Sequence, residues 1–213
     1  MRESELREVV VGAARGMNAR GLNRGTSGNV SVRVPEGMLI TPSAVPYEGM
    51  GADDLVLMRL DGDVLMGARP STEWRLHAGI LARRPEVGSV LHAHPEFCTT
   101  LACLRREIPA VHYMVAVAGG DSVRCAPYAP FGSPELAELA LAALEDRTAC
   151  LLANHGLVVL GATPTDALEL AVEVESLAAV YWRALQVGEP AILSAEEMAE
   201  VRARFEDYRR GGG

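Results

Sequence analysis

The chain contains no lysine, and its 20 basic residues are all arginine. Imine chemistry on a carbonyl needs a lysine amine, so that route is closed. A carbonyl activated here would need another electron sink, and a metal acting as Lewis acid is the obvious one. No Cys-x-x-Cys pair occurs among Cys98, Cys103, Cys125 and Cys150, which argues against a zinc ribbon or a redox dithiol. All four stand in apolar sequence and read as reduced core residues. Positive charge is also short. A net charge of −8 argues against a nucleic-acid partner, while local arginines and helix N-termini leave a small anionic substrate open. No apolar run approaches the roughly 18 residues of a membrane span, so no membrane association is expected. The opening Met1-Arg2-Glu3-Ser4-Glu5-Leu6 lacks a signal-peptide core. A soluble, cytoplasmic protein is the simplest expectation.

What is present suits a single domain spanning residues 1–213, with 49% hydrophobic residues to build a core. Residues 3–19 carry helical periodicity, with Leu6, Val9, Val10, Ala13 and Met17 on one face. Val30, Val32 and Val34 alternate with polar residues in the manner of a strand, and Met38 to Thr41 follows a Pro35-Glu36-Gly37 turn. Segments 54–60 and 63–66 around Asp61-Gly62 form a hairpin pattern. Helices are predicted over 73–84, 96–104, 133–144 and 165–185, and a last one after the capping box Ser194 to Glu197. Strands are predicted over 87–94, 122–126, 149–153 and 156–160. A frayed tail is expected over residues 209–213. The order points to an α/β fold in which helices flank a central, largely antiparallel sheet.

Three of the five histidines stand in suggestive contexts. His92 and His94 are two apart in a predicted strand, so they face the same side. His155 sits in the turn Asn154-His155-Gly156 at a buried strand's end, and Glu73 lies at a predicted helix start. Catalytic zinc uses three protein ligands and keeps a position open, which this set can supply. Glu73 has two candidate roles: a fourth ligand, or a general acid/base beside the metal. His77 and His112 lack ligand-like partners and read as packing or hydrogen-bonding residues.

Gly25-Thr26-Ser27-Gly28-Asn29 offers backbone N–H groups and short hydroxyls, the material of a phosphate nest, without the ending of a Walker loop. Thr41-Pro42-Ser43-Ala44 adds hydroxyls, and Ser71-Thr72 adds more at a helix N-terminus. Together, beside Glu73, they point to a phosphate pocket adjoining the metal.

Segments 21–31, 39–43, 71–75, His92-x-His94, 108–114, 125–129 and 154–156 jointly resemble the class II sugar-phosphate aldolase family, and most closely its fuculose-phosphate type. The resemblance covers nearly the whole chain. It implies Zn2+ held by His92, His94 and His155, with Glu73 binding in the resting state. It implies a substrate phosphate among Gly28, Asn29, Ser43, Ala44, Ser71 and Thr72. Tyr113 would be the proton donor to the aldehyde oxygen, with Phe131 and Tyr208 on the aldehyde side. The reaction implied is reversible cleavage of a ketose 1-phosphate, of the L-fuculose 1-phosphate type, to dihydroxyacetone phosphate and an aldehyde such as L-lactaldehyde. A homotetramer with active sites at subunit interfaces is implied as well. Sugar-phosphate epimerases, dehydratases and 5-deoxypentulose-phosphate aldolases share the metal histidines. Metal-free adducin-like oligomeric binding modules share the fold. One residue departs from the family pattern: Ala44 stands where glycine is frequent, which matters if the position needs a positive φ.

Overall fold

Strand periodicity of two and helix periodicity of 3.6 generate a sheet with helices on both faces. The computed structural model describes the backbone of residues 2–211 and the side chains of residues 2–208. In chain order the elements are α1 (Glu3–Ala19), β1 (Asn29–Val34), β2 (Gly37–Ile40), β3 (Val56–Met58), β4 (Val64–Met66), α2 (Trp74–Arg83), β5 (Ser89–Ala93), α3 (Glu96–Cys103), β6 (Arg124–Ala126), α4 (Pro134–Ala143), β7 (Ala149–Leu152), β8 (Gly156–Gly161), α5 (Pro164–Val187) and α6 (Ala195–Gly211). Short 3-10 turns occupy Ala52–Asp54 and Tyr113–Ala118. The eight strands form one sheet in the order β4-β3-β2-β1-β5-β8-β7-β6. Every pairing is antiparallel except β6 with β7.

Alternation along the central strands divides the core in two. Leu91 and Ala93 of β5, Val30 and Val32 of β1, and Leu157 and Val159 of β8 face one side. There they pack with α1, α3 and α5 side chains such as Met17, Leu101 and Val174. Val90 of β5 and Val158 and Leu160 of β8 face the other side, against Leu76, Ile80 and Leu81 of α2 and Leu136 and Ala140 of α4. His92 and His94 share parity with Val90, so they turn toward α2 rather than α5. In the β1–β5 register Asn29 stands opposite His92, which brings both to the same end of the sheet.

The helix ends carry the expected chemistry. Ser133 caps α4 by accepting from Leu136 N at 3.1 Å, ahead of Pro134 at the first helical position. Ser194 and Glu197 form a reciprocal capping box on α6. Two expectations, for Glu73 and for the cysteines, need correction. Glu73 is not inside the first turn of α2 but is its N-cap residue, because its side chain is drawn into the sheet-end site instead of lying along the helix. Helix α6 spans Ala195–Gly211, and residues 212 and 213 of the tail expected from 209 lie outside the described residues. Cys98 and Cys150 are buried, but Cys125 is half-buried and Cys103, at the end of α3, is exposed. Among the described residues no helix is long and apolar enough to cross a membrane.

Candidate metal centre and adjoining cavity

Four sequence-distant side chains meet at the end of the sheet beside the start of α2. The β5 pleat brings His92 inward, and His94 follows at the strand's exit. The β7–β8 hairpin supplies His155 from a turn in which Asn154 takes the left-handed conformation (φ 55°), a geometry asparagine tolerates. Gly156 is needed beside it, since a Cβ there would lie 2.7 Å from the His94 ring. Glu73 enters from the cap of α2.

His92 Nε2 lies 2.9 Å from His94 Nε2 and 3.0 Å from Glu73 Oε2, and His155 Nε2 lies 3.4 Å from Glu73 Oε1. Ligands about 2.0–2.2 Å from one ion at tetrahedral angles stand about 3.3 Å apart, close to these spacings. All four donor atoms lie within 4.8 Å of one another. Glu73 Oε1 is buried and has no hydrogen-bond partner, an arrangement that a cation would satisfy and an apolar interior would penalise. His92 Nδ1 bonds to the Leu157 carbonyl at 2.9 Å, which fixes the tautomer and leaves Nε2 free toward the cluster. The donor set therefore fits a divalent ion.

The electrostatics agree with that chemistry. Burial opposes ionisation of Glu73, but His92, then His155 and Asn29, hold its carboxyl far below the usual carboxylate range. Burial likewise opposes charge on His92, yet the Glu73 carboxylate beside it raises its pKa. Burial, with His92 adding to it, pushes His94 down to about 3 and His155 down to about 4. Both are neutral at pH 7 and present lone pairs, the form a metal binds.

A cavity of about 360 Å³ opens onto this cluster. Gly28, Asn29, Ser43, Ala44, Ser71, Thr72, Glu73, His94, His155 and Phe131 all line it. His92 is fully buried behind it. The loop before β1 is fastened from two sides. Asn23 Oδ1 accepts from His94 N at 2.8 Å, and the Tyr47 hydroxyl donates to the Gly28 carbonyl at 2.5 Å. Gly28 has φ +77° and sits against Asn23, where a Cβ would fall 2.8 Å from the His92 carbonyl oxygen. Ser71 Oγ accepts from Glu73 N at 3.3 Å, so this hydroxyl supports the residue that caps α2. Ala44 has φ 60°, the left-handed conformation its position was expected to test.

Tyr113 and Tyr208 do not line this cavity. They border a separate groove of about 650 Å³ with Leu193, Val201 and Phe205, where the Tyr113 and Phe205 rings stack at 6.3 Å. His112 accepts a hydrogen bond from Met114 N at 3.3 Å and stays away from the cluster. His77 is fully buried and bonds to Asn29 and Ser31. Thr26, Ser27, Pro42, Tyr128 and Asn154 also line the cavity and were not among the expected site residues. Thr26, Ser27, Pro42 and Asn154 belong to motifs read in the sequence. Tyr128 lies in the 125–129 segment that carries the family resemblance, but its place at the cavity follows only from the fold of the 127–132 loop.

Comparison with known proteins places this architecture. The profile of the family described as Class II Aldolase and Adducin N-terminal domain matches residues 8–182. The 5-methylthioribulose-1-phosphate/5-deoxyribulose-1-phosphate aldolase of Rhodospirillum rubrum is 51% identical over 203 residues, covering 95% of this chain and 92% of that protein. The L-fuculose phosphate aldolase of Escherichia coli K12 is 44% identical over 209 residues, covering 98% and 97%. A solved L-fuculose 1-phosphate aldolase superposes with a TM-score of 0.93 at 38% identity, covering 97% of this chain and 98% of that one. On the matched profile, these identities and this superposition, the chain belongs to the family of class II aldolases and adducin N-terminal domains, as one of its aldolase enzymes.

Proposed function

We propose that this enzyme is a zinc-dependent aldolase that reversibly cleaves a ketose 1-phosphate to dihydroxyacetone phosphate and a small aldehyde. The observation that carries this reading is the placement of Glu73, His94 and His155 in the wall of the same cavity as the two hydroxyl- and glycine-bearing loops and the start of α2. His92, His94 and His155 would hold the ion, with Glu73 as the further ligand in the resting state. Three imidazoles and one carboxylate are a ligand set suited to zinc. When bound, zinc supplies Lewis-acid stabilisation of negative charge developing on the substrate's C2 oxygen.

Everything else falls to the chain's own residues. Gly28, Asn29, Ser43, Ala44, Ser71 and Thr72 would bind the phosphate, with short side chains and backbone N–H groups near the N-terminus of α2. On cleavage the C3–C4 bond breaks and its electrons pass into an enediolate over C2 and C3. The C4 hydroxyl gives up its proton as the aldehyde carbonyl forms, and C3 gains one, so the atoms balance. Glu73, ionised at neutral pH and bearing an unpartnered oxygen, is placed to carry the C3 proton. Tyr113 would exchange the proton at the aldehyde oxygen, with Phe131 and Tyr208 bounding that side. Tyr113 and Tyr208 border a different groove from the cavity. Their proposed roles would therefore need a second copy of the chain, as in the homotetramer with interface active sites that the family resemblance implies.

Two substrate readings remain within this reaction. The fuculose-phosphate pattern of the sequence favours L-fuculose 1-phosphate. The higher identity to the Rhodospirillum rubrum protein favours 5-deoxyribulose 1-phosphate or its methylthio analogue. These ketoses share carbons 1 to 4 and differ beyond C4, so the phosphate cavity serves either. Comparing kcat/KM for cleavage of the three compounds decides between them. Preference for L-fuculose 1-phosphate by tenfold or more supports the first reading, and the reverse supports the second. Epimerisation or dehydration without dihydroxyacetone phosphate release would overturn both.

A further inference from the structure

Behind the cavity a buried chain of polar side chains runs from the sheet to Glu73. His77 of α2 is fully buried and uses both ring nitrogens: Nδ1 lies 2.7 Å from Ser31 Oγ, and Nε2 bonds to Asn29 Oδ1. Asn29 Nδ2 in turn donates to Glu73 Oε2 at 3.2 Å. Ser31 and Asn29 are themselves buried. The main-chain carbonyl of Ser31 accepts from the Ser89 hydroxyl at 2.7 Å, which holds that end of the chain to β5.

The direction of these bonds is dictated from the Glu73 end. An ionised carboxylate only accepts, so Asn29 must turn its NH2 toward Glu73 and its carbonyl oxygen toward His77. That oxygen also only accepts, so His77 must carry its hydrogen on Nε2. A buried imidazole facing a hydroxyl and an amide, with no carboxylate partner, is neutral, so Nδ1 is the acceptor. The Ser31 hydroxyl then donates to Nδ1. Each group fixes the next: reversing the Asn29 amide sets its NH2 against Nε2–H and its oxygen against the carboxylate, and reversing the His77 tautomer sets two acceptors, Nε2 and Asn29 Oδ1, against each other.

We propose that Ser31, His77 and Asn29 form a one-way hydrogen-bond chain that positions Glu73, making Oε1 the oxygen that accepts and returns the substrate proton. Oε2 faces the donated hydrogen of Asn29 and cannot carry a proton toward it unless the amide flips. His77 opposes that flip, because the flipped amide would set NH2 against Nε2–H. Oε1, which has no hydrogen-bond partner, is left to the reaction. His77 is thus a positioning residue, acting on Glu73 through Asn29. The proton-transfer half of this proposal rests on the aldolase reading above, while the direction of the chain does not.

Two measurements test it. Nitrogen-15 NMR of histidine-labelled, metal-free protein reads the His77 tautomer without any turnover. The Nε2–H tautomer is expected, and the Nδ1–H tautomer would overturn the chain. The second measurement is solvent exchange of the C3 hydrogen of dihydroxyacetone phosphate, which isolates proton transfer from bond cleavage. His77→Leu should slow kcat for exchange about 10-fold or more, the loss expected when a hydrogen bond to a charged group is no longer held. Bound zinc and KM should stay near wild type. His77→Gln, which restores an N–H toward Asn29, should recover most of the rate. Exchange by His77→Leu at the wild-type rate overturns the positioning role, as does a loss confined to KM or bound metal. If the leucine variant does not fold, the tautomer and the glutamine variant still decide. Wild-type enzyme that exchanges no hydrogen overturns the aldolase reading and the proton-transfer half together, and the tautomer then reads the chain alone.

Discussion

Replacing Ala44 by glycine should stabilise the protein. Ala44 is exposed and has φ 60°, so removing its methyl relieves left-handed strain while giving up little packing. Its loop cannot relax the angle by moving, because Ser43 N bonds to the Arg69 carbonyl at 3.0 Å and Ser71 N to the Thr41 carbonyl at 3.1 Å. The left-handed conformation costs a non-glycine residue about 1–2 kcal/mol. Glycine returns about 0.4–1 kcal/mol of that through its greater freedom in the unfolded chain. The difference favours glycine by about 0.5–1 kcal/mol, or roughly 1–4 °C in Tm for a chain of this size. The assay is a thermal scan of metal-loaded wild type and Ala44→Gly, with cleavage kinetics on the same preparations. The loop backbone is unchanged, so kcat/KM should stay within about threefold, a small change on the free-energy scale. A lower Tm would refute the strain argument. A large fall in kcat/KM at higher Tm would show that the methyl itself meets substrate.

Other perturbations reach the chemistry. Glu73→Gln keeps a side chain of the same shape and should retain zinc by metal analysis, yet lose about 10²–10⁴-fold in turnover as the proton carrier disappears. Near wild-type turnover would remove Glu73 from that role. In the metal-free protein His77 is held near 3, His94 near 3 and His155 near 4, all below the ordinary 6.5. Between pH 6.5 and about 4.5 the unfolded chain therefore binds more protons than the folded one, so stability falls on acidification. Each such histidine contributes at most about 1.4 kcal/mol per pH unit; the raised pKa of His92 opposes this near and above pH 6.5 and no longer does so toward pH 5, where its imidazole is protonated folded or unfolded. Glu73 adds to the loss only below its ordinary value of 4.5. Urea unfolding of chelator-treated protein at pH 7.5, 6 and 5 measures this, and a pH-independent midpoint would contradict it. If Tyr113 acts on the cavity of a neighbouring copy, mixing inactive Glu73→Gln and Tyr113→Phe subunits should restore part of the activity through hybrid sites. No recovery after verified subunit exchange would return Tyr113 to a structural role.

Much of this was legible in the sequence because the relevant signals are local. The parity of Val90, His92 and His94 announces which face of β5 they share. The caps at Ser133 and Ser194 announce where α4 and α6 begin, and the composition of loop 25–29 announces tight backbone near a small ligand. What was hidden depends on contacts across the sheet. Nothing in the periodicity around Glu73 shows that it caps α2 and turns inward, since that follows from His92 and Asn29 waiting there. His77 reads as an ordinary helix residue until β1 places Ser31 and Asn29 against it. The 3-10 turn at Tyr113–Ala118 has no period to detect, and its docking against α6 sets Tyr113 at the separate groove and outside the cavity. Cys103 stands in apolar sequence but at the exposed end of a short helix, so composition alone misplaced it.

The most direct measurement is release of dihydroxyacetone phosphate from L-fuculose 1-phosphate and 5-deoxyribulose 1-phosphate, made on purified protein, after chelation, and after zinc is added back. Release from at least one substrate, lost with the metal and recovered with zinc, is the result this account expects. Protein that holds zinc at the histidine cluster yet releases no dihydroxyacetone phosphate from either substrate would contradict it.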